Sequence, residues 1–402
     1  MKYDLVFEGG GAKGMVFVGA CEEFERRGHT VGRLLGTSAG AITAALLAAG
    51  YSPEEMLDAL NERDNGKPVF AGFMGEPPSF SEDEIRTSAI RTLLRNVNIK
   101  LLPDFLEERL DGSIAQMLAE NSHSRHFFAF VERGGWYAAD RFVTWLETKL
   151  DTGPWKDGQR KFSRMTLAEF CGETRVELTV VASDTTDGRL LVLNHHTAPD
   201  CPLVWAVRMS MSIPLVWDEV TWAEGWGAYL GRSITGHAIV DGGLLSNFPI
   251  ELFISDEPQI TRLMGPKQDN PVLGLLIDET LPVPQMGGTR GLLVDINVKP
   301  GELRTVQRIS QLVNTATTAH DKMVIDEFSH QVVRLPAGGY GTTEFDMGDE
   351  RRAALVEAGR NAMRAYFDTP PTVAAAPRGR ESVASERSRQ TIDRVASRML
   401  GL

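Results

Sequence analysis

The sequence predicts an α/β fold on a parallel sheet, and three observations carry that expectation. The first 60 residues read strand, glycine turn and helix twice in succession, the rhythm that lays parallel strands side by side. Strand and helix alternation resumes after about residue 175. The composition, 42% hydrophobic and 24% charged over 402 residues, is an ordinary globular balance with enough apolar content for a large core.

The opening run YDLVF (3–7) is a short apolar strand that meets glycines, so it reads as buried. Residues 9–14 form a glycine turn, followed by a helix over Met15–Arg27 that Gly28 can end. Thr30–Leu35 is the next strand, and 36–40 the next glycine turn. An Ala/Leu-rich helix then runs to Ala49, with Gly50 at its stop. Ser52-Pro53-Glu54-Glu55 has a cap, a proline at the first helical position and a glutamate at the third, a helix start. Residues 66–165 break this rhythm with a Pro-Pro loop at 77–78, charged helical stretches and a concentration of aromatics between 126 and 162. Those aromatics read as the core of covering helices or as a lid facing a membrane. Strands follow at Val176–Ala182, Leu190–Leu193, Ala238–Val240 and Val272–Ile277, with helices expected at 302–327 and 349–367. After Asp368 the composition turns to Pro, Ala, Ser and Arg, so the domain boundary is placed there.

Charge and cysteine usage narrow the function. Lys+Arg number 42 against Asp+Glu 54, a net charge of −12, so no global basic footprint exists and nucleic acid is not an expected partner. The three cysteines, Cys21, Cys171 and Cys201, are odd in number and far apart. They suit neither a disulfide framework nor a zinc site, and suggest a reducing compartment. The N-terminus reads as a strand rather than a signal peptide. The longest near-apolar run, Ala39–Tyr51, is short of the ~18–20 residues a membrane-spanning helix needs. A soluble protein is therefore expected, cytoplasmic or else exported without a cleaved signal.

Two motifs could carry chemistry, GGGAKG at 9–14 and GTSAG at 36–40. Each alone is common; each here follows an apolar strand and opens a helix, where glycines have a mechanical purpose. Gly36 and Gly40 flank Ser38 as in a nucleophile elbow, a sharp turn that lifts the serine hydroxyl to a helix N-terminus. The alternative is a tight turn whose serine caps the helix. Gly9, Gly10, Gly11, Ala12 and Gly14 offer backbone N–H groups unshielded by side chains, suited to an anion. A phosphate loop needs G-K-[ST], but Met15 and Val16 follow Gly14; a dinucleotide site needs an acid at the end of the second strand, where Leu34-Leu35-Gly36 stands. An oxyanion hole fits better. None of the eight histidines sits in a signature. One carboxylate stands out: Asp241 ends the strand AIVD and meets Gly242 and Gly243, at the sheet edge where α/β sites lie. Its alternative reading is an Asp-Gly turn.

Together these segments resemble the patatin-like phospholipase family. GGGAKG is similar to its oxyanion loop, GTSAG to its nucleophile elbow, and DGGLLSNFPI (241–250) to its catalytic Asp-Gly segment with Asn247 and Pro249 downstream. VRMSMSIPLVW (207–217), VASDTTDGRLLVLN (181–194), 135–146 and 341–363 also look familial, and the resemblance covers roughly 1–367, with 66–134 and 251–300 poorly matched. Glu8 and Lys13 stand where many members have Asp and Arg. The resemblance implies a three-layer α/β sandwich with a mostly parallel central sheet covered by helices, over residues 1–368 with an aromatic-rich insertion at about 66–165. It implies a lipid acyl hydrolase of phospholipase A type, with Ser38 as nucleophile, Asp241 as general base, an oxyanion hole from Gly9, Gly10, Gly11 and Ala12, and turn glycines Gly14, Gly36, Gly40, Gly242 and Gly243. No cofactor and no metal are expected. The expected partner is a membrane lipid substrate, met by peripheral contact; whether a protein or small-molecule activator is needed is left open. Two alternatives compete: a Ser–Asp–His triad using His320 or His330, and a non-catalytic lipid-binding scaffold. Residues 369–402 are expected to be a Pro/Ala/Arg-rich tail. Within it, Ile392, Val395, Met399 and Leu402 share a helical face beside Arg387, Arg394 and Arg398, as in a short amphipathic helix; a solvated tail is the alternative.

Overall fold

A computed structural model describes residues 1–96, 122–284 and 328–369. Eight strands form one sheet: β1 (Lys2–Phe7), β2 (Thr30–Thr37), β3 (Leu178–Asp184), β4 (Arg189–Leu193), β5 (Val220–Thr221), β6 (Ala238–Asp241), β7 (Val272–Pro282) and β8 (Val332–Gly338). Their order is β5-β6-β3-β2-β1-β7-β8, with β4 also paired to β3. The run from β3 through β2, β1 and β7 to β8 is parallel. The β4, β5 and β6 pairings are antiparallel. The expected mostly parallel sheet is therefore present.

Strand alternation sends side chains to two faces. Leu5, Phe7, Leu34, Val180 and Leu275 join the larger core. Their neighbours Val6, Leu35, Val181 and Leu276 join a smaller one with Phe248, Ile250 and Leu263. The larger core packs α1 (Val16–Arg26), α2 (Ala39–Ala48), α3 (Pro53–Asn61), α4 (Asp140–Asp151), α5 (Leu203–Ser210) and α6 (Asp349–Asp368). Two covering layers around one sheet make the three-layer sandwich. Helix α2 is apolar all round, and most of it is buried, as such a helix must be.

Most expected elements appear at their expected places. The first helix differs at its start: residues Gly11–Met15 wind as a 3-10 turn before α1 begins at Val16. The Ser52 cap forms as expected, with Ser52 Oγ accepting from Glu55 N–H at 3.1 Å and Glu55 Oε2 accepting from Ser52 N–H at 2.9 Å. Strand β7 runs on to Pro282, five residues past the expected Ile277. Phe128, Phe142, Trp145 and Phe162 are buried, so this part of the aromatic segment is core; Phe127 stays exposed. The helix expected at 302–327 and the tail helix lie outside the described residues. Among the described residues, no helix is long and apolar enough to cross a membrane.

One feature of the sheet positions the site. Along one edge of β3, residues Val180–Asp184 pair with β4. On the opposite edge, Leu178–Val181 pair with β2 and Ala182–Asp184 pair with β6. Strands β2 and β6 thus share one edge and meet end to end. Thr37 lies opposite Val181, and Asp241 opposite Ala182. The residue after Thr37 is Ser38.

Candidate active site

Ser38 sits between β2 and α2 with φ 52° and ψ −119°, a conformation that costs a non-glycine residue of order 1–3 kcal/mol. Its surroundings hold it there. Its N–H donates to Ser210 Oγ at 3.0 Å, and its carbonyl accepts from Ala41 and Ile42. A Cβ on Gly36 would collide with the Gly40 carbonyl, and one on Gly40 with the Phe7 carbonyl, so the turn closes only with glycine at both. Ser38 stands at the N-cap position, yet its side chain makes no capping hydrogen bond. The reading of Ser38 as a helix cap is thereby excluded.

The loop 9–14 lies against this turn: a Cβ on Gly9 would come 3.2 Å from Ser38 Cβ, and one on Gly14 2.5 Å from Ala39 Cβ. Its amides are not equivalent. Gly9 N–H donates to Asn247 O at 3.0 Å, Ala12 N–H to Thr342 O at 2.8 Å, and Lys13 N–H to Gly10 O at 3.2 Å. Among the described residues nothing accepts from Gly10 or Gly11 N–H. Of the four residues expected in the oxyanion hole, Gly9 and Ala12 therefore have their donors engaged, and Gly10 and Gly11 keep theirs. Gly11 has φ +54°, and a Cβ there would strike the Thr342 carbonyl. Asn247 Nδ2 ties the loop down further, donating to Gly9 O at 2.9 Å and to Glu8 Oε1 at 3.1 Å. The Lys13 ammonium, buried, pairs with Glu279, so it is not a free cation.

Asp241 ends β6 and is almost wholly buried. Its N–H donates to Ser212 O at 2.8 Å, and its Oδ1 accepts from Gly243 N–H at 2.7 Å. Its Oδ2 is buried and has no regular hydrogen bond. The Ser38 hydroxyl is near enough to favour the ionised carboxylate. Burial outweighs that help and pushes the carboxyl up to about 7. The Asp-Gly turn is real, since Asp241 caps the 3-10 turn Gly242–Leu244, but it engages only one carboxylate oxygen.

Beside Ser38 opens an apolar pocket of about 700 Å³ including its mouth. One wall is α2, through Ile42, Thr43 and Leu46; Phe70, Trp145 and Phe345 contribute others. Among the described residues that line it, only Ser38 and Thr43 bear hydroxyl groups. No described histidine lines it. Among the described histidines, His126 Nδ1 meets Trp136 O at 2.8 Å and His237 Nδ1 meets Asp184 Oδ2 at 2.9 Å. His320 lies outside the described residues. Asp184, Asp187 and His237 cluster closely enough to hold an ion, but Arg189 and Arg232 already pair with these carboxylates.

The chain matches the family model of patatin-like phospholipases over residues 5–254. It belongs to that family. An uncharacterised protein of Bacillus subtilis, YqhO, is 27% identical over 378 residues, covering 91% of this chain and 98% of the relative. A probable lipid hydrolase of Invertebrate iridescent virus 6, 463L, is 21% identical over 251 residues, 62% of each chain. Among solved structures, VipD from Legionella pneumophila superposes with a TM-score of 0.44 at 17% identity, over 91% of this chain and 66% of that one. ExoU of Pseudomonas aeruginosa, in its complex with SpcU, gives 0.36 at 17% identity, over 91% and 52%. This chain thus spans between half and two thirds of those two.

The family assignment supports lipid hydrolysis as the chemistry. The sequence reading marked 207–217 and 341–363 as familial but assigned no role to four residues there: Ser210 and Ser212, which hold the backbones of Ser38 and Asp241, and Thr342 and Phe345, which complete the loop and pocket. The last two lie beyond residue 254. Small polar residues beside glycines, as in GYGTT, were the signal available, and it is a weak one.

Proposed function

We propose that this protein is a serine lipid acyl hydrolase of phospholipase A type working through a Ser38–Asp241 dyad. The observation that carries the reading is the uncapped Ser38 hydroxyl, at a positive-φ elbow, opening on an apolar pocket beside a buried carboxylate. An acyl chain in the pocket brings its ester carbonyl to Ser38. Asp241 accepts the serine proton as Ser38 Oγ bonds to the carbonyl carbon, and Gly10 and Gly11 N–H receive the oxyanion. Collapse breaks the ester bond, and the Asp241 carboxylic acid returns the proton to the departing alcohol. Asp241 then takes a proton from water, which attacks acyl-Ser38 and releases the fatty acid with Ser38 restored. An ordinary aspartate, near 3.9, is a weak base for serine. A carboxyl near 7 is better matched, because the ideal base lies close to the working pH.

The substrate resides in a membrane, so the protein meets it peripherally. In this reading residues 1–368 form the hydrolase body, and 369–402 a tail whose arginines aid contact with anionic lipid. The test is labelling by a fluorophosphonate probe together with lipid analysis of cells producing the wild type or Ser38→Ala. Labelling lost in Ser38→Ala, with fatty acid and lysolipid released only by the wild type, is the expected result. An unlabelled wild type would leave a lipid-binding scaffold, and loss of labelling on replacing one histidine would revive the triad.

A further inference from the structure

The end of α5 and the turn after it touch both members of the dyad. Ser210 Oγ accepts from the Ser38 N–H at 3.0 Å. Two residues on, the Ser212 carbonyl accepts from the Asp241 N–H at 2.8 Å. Met211 and Ile213, on either side of Ser212, line the pocket. One short segment therefore spans from nucleophile to base along the pocket floor.

That segment is itself anchored by a buried cation. Arg208 is 3% exposed. One guanidinium nitrogen reaches Ser212 Oγ; the other donates to the Asp218 carbonyl at 3.0 Å and to Asp218 Oδ1 at 2.5 Å. Ser212 Oγ also donates to the Arg208 carbonyl at 2.6 Å. A buried arginine is costly unless fully paired, and a fixed fork is the residue's advantage over lysine. Here the fork joins Ser212 to Asp218, so the stretch 208–218, which also carries the pocket residue Trp217, is held as one body.

We infer that Ser210, Ser212 and Arg208 are positioning residues: a bridge that sets the Ser38–Asp241 separation through their backbones while touching no reacting atom. The inference rests on the proposed dyad. Two hydrogen bonds give it content. Ser210 restrains a serine held at φ 52°, a conformation that would relax if its N–H lost its acceptor. Ser212 fixes the strand end from which the Asp241 carboxylate projects.

The experiment measures hydrolysis of a short soluble ester by full-length wild type, Ser210→Ala and Arg208→Lys. Rates are normalised to serines titrated by a fluorophosphonate, and kcat, KM and the pH midpoint are determined separately. Ser210→Ala should lower kcat about tenfold, the effect of one buried hydrogen bond, with KM and pH midpoint unchanged. Arg208→Lys keeps the charge but loses the fork. It should lower kcat and also move the pH midpoint, because Asp241 shifts with Ser212. Variants with wild-type kcat and pH midpoint per titrated serine would overturn the bridge while leaving the dyad intact. A purely structural role would reduce the number of titratable serines and leave kcat per serine unchanged, which also overturns it. A wild type with no titratable serine removes the dyad and the bridge together.

Discussion

Replacing Asp241, the proposed base, by asparagine separates the cost of burying its carboxylate from its use. Asp241 is buried, and burial pushes it from an ordinary 3.8 to about 7. The folded state thus holds a proton that the unfolded state has released. Stability from this source is fully present below about pH 4 and declines as pH rises towards 7, beyond which nothing further is lost. At ~1.36 kcal/mol per unit, the decline totals about 4 kcal/mol. Asparagine keeps the acceptor for Gly243 N–H and never ionises, so Asp241→Asn escapes the decline. Its unfolding free energy relative to the wild type should rise by roughly 2–3 kcal/mol between pH 5 and pH 8. The assay is urea unfolding of both proteins at half-unit pH intervals, alongside fluorophosphonate labelling of Ser38. Wild-type labelling should climb with pH and level off above about 7, and the variant should label very slowly throughout. A stability difference that does not change with pH would refute the buried-base argument. So would labelling by the wild type at full rate at pH 5.

Other perturbations test the remaining parts. Ser38→Gly should end hydrolysis as Ser38→Ala does, yet unfold at higher temperature than Ser38→Ala, since glycine accepts φ 52° at a saving of order 1 kcal/mol; equal midpoints would show the elbow to be unstrained. Gly11→Ala should cut kcat by roughly 10²–10³, because the new Cβ strikes the Thr342 carbonyl and displaces the free N–H; a change confined to KM would make the loop a head-group site. Leu46 lies two turns along α2 from Ser38, about 12 Å by helical rise, which an extended chain crosses in about ten bonds. Leu46→Trp should therefore lower hydrolysis of long-chain esters about tenfold relative to a four-carbon ester, and an unchanged ratio would mean that acyl chains lie elsewhere.

The sequence determined the local geometry, because local geometry depends on neighbours in the chain. Alternating apolar residues marked the strands, Ser52 to Glu55 marked a capped helix, and the glycines at 36 and 40 marked a turn that only bare backbone can close. Ser38 and Asp241 were each legible as candidate chemistry at a strand end, and the order of the familial segments led to the family later shown. Periodicity and spacing could not disclose proximity across 203 positions, which only the family resemblance implied. That proximity came from β3, which pairs with β2 along half of one edge and with β6 along the other half, so that two strand ends meet. Nor could sequence say which amides of GGGAKG are spare, since the partners that engage Gly9 and Ala12 are the carbonyls of Asn247 and Thr342, both distant in the chain. The raised Asp241 belongs to the same class: an Asp-Gly pair reads as an exposed turn, and only tertiary packing removes its water. Periodicity and turn chemistry are written locally, whereas desolvation and the pairing of backbone groups are decided by whatever the fold brings alongside.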